Sequence, residues 1–273
     1  DDVHVEAVSR AYVQQLHTHI GPHTDIPAPD VNTNSEIIDW MVDEFELITG
    51  DVTRAAFTGK SLGKGGSLGR EAATGRGGVI VLREFLASIG KDPKTVTVAV
   101  QGVGNVGASL CRLLSEAGAK LVIADVNRTR VDALAKELGA TVMGTDEIID
   151  AQADIFAPCA LGAVINARSI LQLKARLVCG GANNQLETDQ DGFALQKRGI
   201  TYAPDYLVNA GGIINVAAEY LHETTEDVHE RVTRIPERVR EVLLLASQIG
   251  QPTHRVADTM AERIISGVRV KAA

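Results

Sequence analysis

Between residues 3 and 20 the apolar side chains Val5, Val8, Tyr12, Leu16 and Ile20 recur every three or four positions, the period of an amphipathic helix, and Gly21-Pro22 ends the run. Residues 25–34, interrupted by Pro27 and Pro29, are expected to be extended chain and loop. Thr33-x-x-Glu36 then supplies a capping box for a second helix that runs to Ile48 and is closed by Gly50. The stretch from Phe57 to Gly78 holds eight glycines, too many for a regular element, and predicts a ligand-facing loop or hinge whose backbone approaches something closely.

Beyond it the texture changes to short β-branched runs alternating with helical periodicity. Strands are expected over 95–101, 120–125, 153–158, 175–179 and 200–203, with helices up to Gly118 and over 130–139 between the first of them. Such a βαβα series predicts an α/β fold of Rossmann type, a doubly wound parallel sheet with helices on both faces. From Asn209 the chain reads as helical and finishes in two long helices, 225–249 with Pro236 inside and 254–268. The change of texture places a domain boundary near 58–75.

Composition narrows the classes. With 45% apolar and 23% charged residues, 273 residues have material for two folded cores, which excludes disordered and disulfide-scaffold proteins. A net charge of −8 offers no basic field to phosphate backbones, so nucleic acid is not an expected partner. Cys111, Cys159 and Cys179 lack C-x-x-C spacing, and His17 and His19 at i, i+2 point to different helix faces, so no metal site is expected. No apolar run approaches the ~18 residues of a membrane span. The first twenty residues carry Asp1, Asp2, Glu6 and Arg10 in place of a signal peptide's apolar centre, and a cytoplasmic protein with reduced cysteines is the expectation.

Chemistry enters at Gly102-Val103-Gly104-Asn105-Val106-Gly107, which follows the strand over 95–101 and opens a helix carrying Leu110, Leu113 and Leu114. A G-x-G-x-x-G alone says little. Here a strand precedes it, a helix follows it, and Asp125 ends the next strand 23 positions after Gly102. Gly102 would make the tight turn, Gly104 would admit a pyrophosphate to the backbone, and Gly107 would bring helix and strand together, with the helix N-terminus facing the anion. Asp125 would accept hydrogen bonds from ribose hydroxyls, favouring NAD over a 2′-phosphorylated cofactor, while Arg128 stands close enough in sequence to temper that preference. A glycine turn serving only the sheet is the plain alternative.

Longer motifs carry a resemblance. Asp25-Ile-Pro-Ala-Pro-Asp30-Val-Asn-Thr-Asn34, Thr58-Gly-Lys60, and Gly65-Gly-Ser-Leu-Gly-Arg70 with Ala73-Thr74-Gly75 resemble glutamate dehydrogenases. Ala157-Pro-Cys-Ala-Leu-Gly162, Ala182-Asn-Asn-Gln-Leu186, Tyr202-Ala-Pro-Asp-Tyr206 and Asn209-Ala-Gly-Gly-Ile-Ile-Asn-Val216 resemble leucine dehydrogenases. The chain as a whole therefore resembles the glutamate, leucine, phenylalanine and valine dehydrogenase family. The resemblance implies NAD-dependent oxidative deamination of an apolar L-amino acid to its 2-oxo acid and ammonia. It assigns proton transfer at the amine to Asp30, which by itself reads as a turn residue. Thr74 would touch the nicotinamide amide, Cys159 and Ala160 would pass its ribose, and Asn183 would lie between cofactor and substrate, with Asn184 and Thr58 on the substrate side.

In the glutamate branch of the family a serine in the helix after Asn-Ala-Gly-Gly helps hold the distal carboxylate, and the matching position here is Val216. With Ile213 one turn earlier it would form an apolar wall suited to leucine, valine or phenylalanine side chains, unless both simply pack into the core. Family members also carry, upstream of Pro-Ala-Pro-Asp, a glycine-rich segment whose lysines bind the α-carboxylate and activate water. The sequence begins too late to contain it, and Lys64, placed after Asp30, is not assigned that role. The expected organisation is thus a remnant of a substrate and assembly domain over 1–57 with exposed apolar faces, a hinge over 58–74, a dinucleotide-binding domain over 75–215, and helices over 216–273 crossing back to the first. Two alternatives stand beside this: a glutamate dehydrogenase, and a chain that binds NAD but needs a separate N-terminal segment. Expected partners are the amino acid, further copies in a homo-oligomer or that complementing segment, and no membrane.

Overall fold

The computed structural model describes residues 2–30, 33–66, 70–221 and 223–267. Its helices are α1 (Asp2–Leu16), α2 (Ser35–Thr49), α3 (Arg70–Ser88), α4 (Asn105–Glu116), α5 (Arg128–Leu138), α6 (Ala167–Gln172), α7 (Asp189–Lys197), α8 (Asp205–Val208), α9 (Ala210–Leu221), α10 (Thr225–Thr233), α11 (Ile235–Ile249) and α12 (Thr253–Ile265). Among the described residues six parallel strands form one sheet: β1 (Thr97–Gln101), β2 (Lys120–Ala124), β3 (Thr141–Val142), β4 (Ile155–Pro158), β5 (Leu177–Val178) and β6 (Thr201–Tyr202). Their spatial order is β3-β2-β1-β4-β5-β6, so the chain winds outward from β1, returns, and winds the other way from β4. The α/β, Rossmann-type expectation holds, and β3 is a strand that the periodicity did not announce. Val98, Ala99 and Val100 are all buried, as a central strand covered on both faces requires. One face packs Phe156, Ile165, Val178, Leu195 and Tyr202 into a continuous core.

Two compact units divide the chain: Asp1–Arg70 with Ile213–Glu230, and Glu71–Gly212 with Arg231–Ala273. Residues 216–273 therefore do not all return to the first unit. Beyond Glu230 the chain stays with the sheet unit, where the Thr253 hydroxyl donates to the Tyr202 carbonyl and α12 packs on β6. The expected helix over 225–249 is two helices that meet at Arg234, with Pro236 in the first turn of α11, where its missing N–H leaves no intrahelical bond unmade.

In the first unit α1 packs against α2 around Val13, Ile20, Ile38, Val42, Phe45 and Phe57, with the Phe45 and Phe57 rings edge to face at 5.7 Å. The stripe Val5, Val8, Tyr12 that first suggested this helix is exposed; the buried face runs through Ser9 and Val13. Periodicity located the helix; Leu16 and Ile20 of the stripe pack into this core, and Val5, Val8 and Tyr12 form an exposed apolar face of the kind expected over 1–57, while polar groups share the inner face. The Ser9 hydroxyl donates to the Val5 carbonyl at 2.7 Å, while Arg10 and Gln14 both reach Glu44 of α2. Capping also differs from expectation. Asn34, in place of Thr33, caps α2 by accepting the Ile37 N–H at 3.0 Å, because the Thr33 hydroxyl is committed to both backbone groups of Asp30.

The glycine-rich stretch contains a regular element after all, since α3 begins at Arg70 and runs through Gly75, Gly77 and Gly78. The close approach was correctly anticipated, but helical backbone makes it. A Cβ on Gly75 would lie 2.9 Å from the Ser109 Cβ in α4, and one on Gly77 would lie 3.0 Å from the Val208 carbonyl oxygen and 3.2 Å from the Gly211 nitrogen. Alanine has a helix propensity about 1 kcal/mol better than glycine. Overpacking against backbone that cannot yield costs about 1–3 kcal/mol. Gly77→Ala is therefore expected to lower the Tm by about 2–4 °C in scanning calorimetry, and a raised Tm would show that this helix contact is loose.

Candidate functional site

At the carboxyl end of the sheet the winding direction reverses between β1 and β4, which is where an open α/β sheet offers a crevice. Gly102 takes a φ of +91°, and the turn it makes carries the chain directly into α4. A Cβ on Gly107 would overlap the Gly102 carbonyl, and one on Gly102 would press on Ala160 at 2.8 Å. Those two positions are fixed by contact within the protein. Gly104 is different: a Cβ there would enter open space, with only the Arg130 Nη1 as close as 3.9 Å. Gly104 is also the N-cap of α4 and, having no side chain to cap with, leaves the first-turn N–H groups at Asn105, Val106 and Gly107 facing that space. Open backbone, unpaired donors and the positive end of a helix fit a diphosphate.

Asp125 lies just past β2 and is tied down by two backbone groups, Val103 N–H to Oδ2 and Asn127 N–H to Oδ1, both at 2.7 Å. It remains partly exposed beside the glycine turn. Arg128, highly exposed, pairs with Asp132 at 3.0 Å one turn along α5.

The opposite wall comes from the ends of β4 and β5. Ala182 N–H donates to Pro158 O at 3.0 Å and Gly181 N–H to the Cys159 sulfur at 3.4 Å, so Cys159 and Ala160 are stitched to the loop that carries Asn183 and Asn184. Burial pushes the Cys159 thiol up to about 11, against the pull of the Gly181 hydrogen bond, so it stays a neutral thiol near pH 7. Asn183 Oδ1 accepts from the Asn209 side chain at 2.5 Å. Asn184 holds a left-handed φ of +51°, and its carbonyl accepts from Ala163 N–H at 2.7 Å. Beneath this loop Gln185 is fully buried. Its amide donates to the Gly180 and Ala182 carbonyls at 2.6 and 2.9 Å, and its backbone N–H donates to the buried Asp205 carboxylate at 3.0 Å. Gln185 and Asp205 are the supports that sequence reasoning passed over, although both stand inside motifs it singled out; nothing in a one-dimensional pattern distinguishes a polar side chain directed inward.

Asp30, Thr58, Ile213 and Val216 belong to the first unit. Asp30 is exposed in a turn closed by Thr33 N–H donating to its carbonyl at 3.0 Å, so it is a turn residue. Thr58 N–H donates to Pro27 O at 3.0 Å, holding its strand of loop beside the segment that leads to Asp30, and its buried hydroxyl has no partner among the described residues. Lys60 is buried and donates to the Phe57 carbonyl, and Lys64 is ion-paired with Asp43. Ile213 is 65% exposed and Val216 is half-buried. Thr74 sits in α3, and its side chain lies outside the described ones. Among the described residues no group of three or more His, Cys, Asp or Glu could hold a metal ion, and no helix is long and apolar enough to cross a membrane.

The glycines give a paired prediction. Gly107→Ala should cost about 2–3 kcal/mol of stability by overpacking. Gly104→Ala should leave the Tm nearly unchanged and weaken NADH binding by about tenfold or more in a fluorescence titration. Equal loss of stability in both variants would count against the open cradle at Gly104.

Residues 65–128 and 123–266 match the family model described as Glutamate/Leucine/Phenylalanine/Valine dehydrogenase, and residues 1–47 match the dimerisation domain of Glu/Leu/Phe/Val dehydrogenases. Leucine dehydrogenase of Thermoactinomyces intermedius is 39% identical over 89% of the chain and 65% of its own length. That of Bacillus cereus is 37% identical over 97% of the chain and 70% of its own length. L-tryptophan dehydrogenase from Nostoc punctiforme superposes with a TM-score of 0.76 at 31% identity, over 96% of the chain and 73% of its own. The chain thus spans between 65% and 70% of the length of these leucine dehydrogenases. It belongs to the glutamate/leucine/phenylalanine/valine dehydrogenase family of amino acid dehydrogenases.

Proposed function

We propose that the chain carries out NAD-dependent oxidative deamination of an apolar L-amino acid, branched-chain or aromatic, to the 2-oxo acid and ammonia. The observation that carries this reading is the crevice at the carboxyl ends of β1 and β4, where the open glycine turn at Gly104 and the Asn183–Asn209 pair belong to one and the same unit. Gly102, Gly104, Asn105, Val106 and Gly107 would bind the dinucleotide's diphosphate, Asp125 a ribose, and Cys159, Ala160 and Thr74 its nicotinamide end. The bound nicotinamide supplies a hydride acceptor for the substrate Cα–H.

Proton transfer and positioning would fall to residues of this chain. Hydride departure from Cα needs a neutral amine, so Asp30 takes the ammonium proton first and returns protons as water adds to the iminium and ammonia leaves. Asn183, held by Asn209 from one side and by the Gln185 clamp from below, would orient the reacting carbon, with Asn184 and Thr58 beside the substrate's polar groups. Ile213 and Val216 would receive the side chain. A distal carboxylate against that wall, without a cation, would cost several kcal/mol, and so leucine, valine or phenylalanine is preferred over glutamate. The match to a dimerisation domain over residues 1–47 supports assembly of further copies into a homo-oligomer.

The test is absorbance at 340 nm with the purified chain, NAD and each of L-leucine, L-valine, L-phenylalanine and L-glutamate. Turnover on the apolar substrates, a loss of about 10²–10⁴-fold in Asp30→Asn, and a narrowed leucine-over-glutamate ratio in Val216→Ser are expected. Preference for glutamate would favour the glutamate dehydrogenase alternative, which the motifs at 25–34 and 65–75 support. NADH binding without turnover would mean that the chemical step requires more chain than these residues.

A further inference from the structure

Resting on the dinucleotide site just proposed, we infer that Asp205 is a positioning residue for it: from α8 it fixes the loop that carries Asn183, and so decides how firmly the nicotinamide end of the cofactor is gripped. Asp205 is 8% exposed and makes no ion pair among the described residues, and the reaction as proposed does not use it. A carboxylate out of water and without a cation is costly to keep unless its oxygens have a specific task. Here Oδ2 accepts the backbone N–H of Gln185 at 3.0 Å, a donor that would otherwise be buried without a partner.

The same short helix holds the loop a second time. Asn209, the C-cap of α8, donates its N–H to the Asp205 carbonyl at 2.8 Å and its side-chain amide to Asn183 Oδ1 at 2.5 Å. Asn183 and Gln185 are thus pinned by Asn209 and Asp205, two points on one support, and Asn184 between them keeps its left-handed φ of +51°. A residue with a side chain holds such a conformation where its flanks are over-determined, so releasing Gln185 frees Asn184 to return to the extended region and swings Asn183 away. The support itself is anchored from three sides. Asp205 N–H donates to the Tyr202 hydroxyl of β6 at 3.3 Å, the Tyr206 hydroxyl donates to Asp258 of α12 at 2.6 Å, and the Val208 carbonyl oxygen lies 3.0 Å from where a Cβ on Gly77 of α3 would stand. The Asp205 carboxylate transmits that anchoring to the loop.

Calorimetric titration of the full chain with NADH and with ADP-ribose isolates this effect, because ADP-ribose has the adenosine, the diphosphate and the second ribose but no nicotinamide. The unmodified chain is expected to bind NADH more tightly than ADP-ribose. Asp205→Ala should weaken NADH about tenfold and ADP-ribose less than about twofold. Asp205→Asn, whose amide oxygen can still accept the Gln185 N–H, should bring NADH binding back to within about threefold, and Asp205→Ser, polar but too short to reach that N–H, should behave as the alanine variant does. Equal loss of both ligands in the alanine and serine variants, misfolding included, would overturn the inference by assigning Asp205 to the fold. Unchanged NADH binding in both would overturn it by showing that the loop stands without this tether. Equal affinity of the unmodified chain for the two ligands would overturn it as well and leave the glycine turn intact. Because the titrations need no turnover, an inactive chain that shows the expected selectivity would support the inference while withdrawing the proposed reaction from this chain alone. Failure of both ligands to bind the unmodified chain would overturn the inference together with the dinucleotide site itself.

Discussion

The contact between the Cα of Gly107 and the carbonyl of Gly102 governs the geometry of the sheet unit. It brings the first turn of α4 against the end of β1 so closely that a single methyl group cannot be inserted. Gly102 must then adopt a left-handed φ for the chain to turn between strand and helix in so few residues. The first-turn N–H groups of α4 are consequently left at the mouth of the sheet with no side chain to cap them. An anion site arises here as a by-product of strand–helix packing: the residues that allow the packing are the ones that leave backbone donors bare.

Opposite this fixed turn, the wall formed by residues 158–162 and 180–186 depends on polar support beneath the surface. Loops without regular hydrogen bonding hold one shape only when their carbonyls and amides find internal partners, and Gln185 provides two donors and one tethered N–H for that purpose. Asn183 is held in a defined direction because the Gln185 amide nitrogen ties the Gly180 and Ala182 carbonyls of the loop that carries it and Asn209 engages its side chain. Cys111, Cys159 and Cys179, which the same packing buries, are held in the thiol form by desolvation and so contribute packing rather than nucleophilic chemistry.

The first unit follows a different logic. Its α1–α2 pair is small, and it recruits the buried hydroxyl of Ser9 and the Arg10, Gln14 and Glu44 group along with its apolar side chains. Val5, Val8 and Tyr12 are left outward as the stripe that a strictly amphipathic helix would have turned inward. Exposed apolar residues on a segment that matches a dimerisation domain are in keeping with a surface that completes its burial in an assembly.

Period-2 and period-3.6 patterns, together with the glycine spacing at 102–107, determined the class of fold, the succession of strands and helices apart from β3, and the place of the tight turn between β1 and α4. Each of these depends on residues close in sequence, where sterics and hydrogen bonding are local. Strand ends moved inward by one or two residues, the glycine-rich stretch proved to hold a helix that packs at Ser109 and Val208, and the helical run at 225–249 broke in two just before Pro236. The inner face of α1, the burial of Gln185 and Asp205, and the pairing of Arg112 with Glu137 were decided only by the tertiary structure. Whether a polar side chain is solvated, buried or free to meet a ligand depends on neighbours brought from tens of residues away, and no local pattern carries that information.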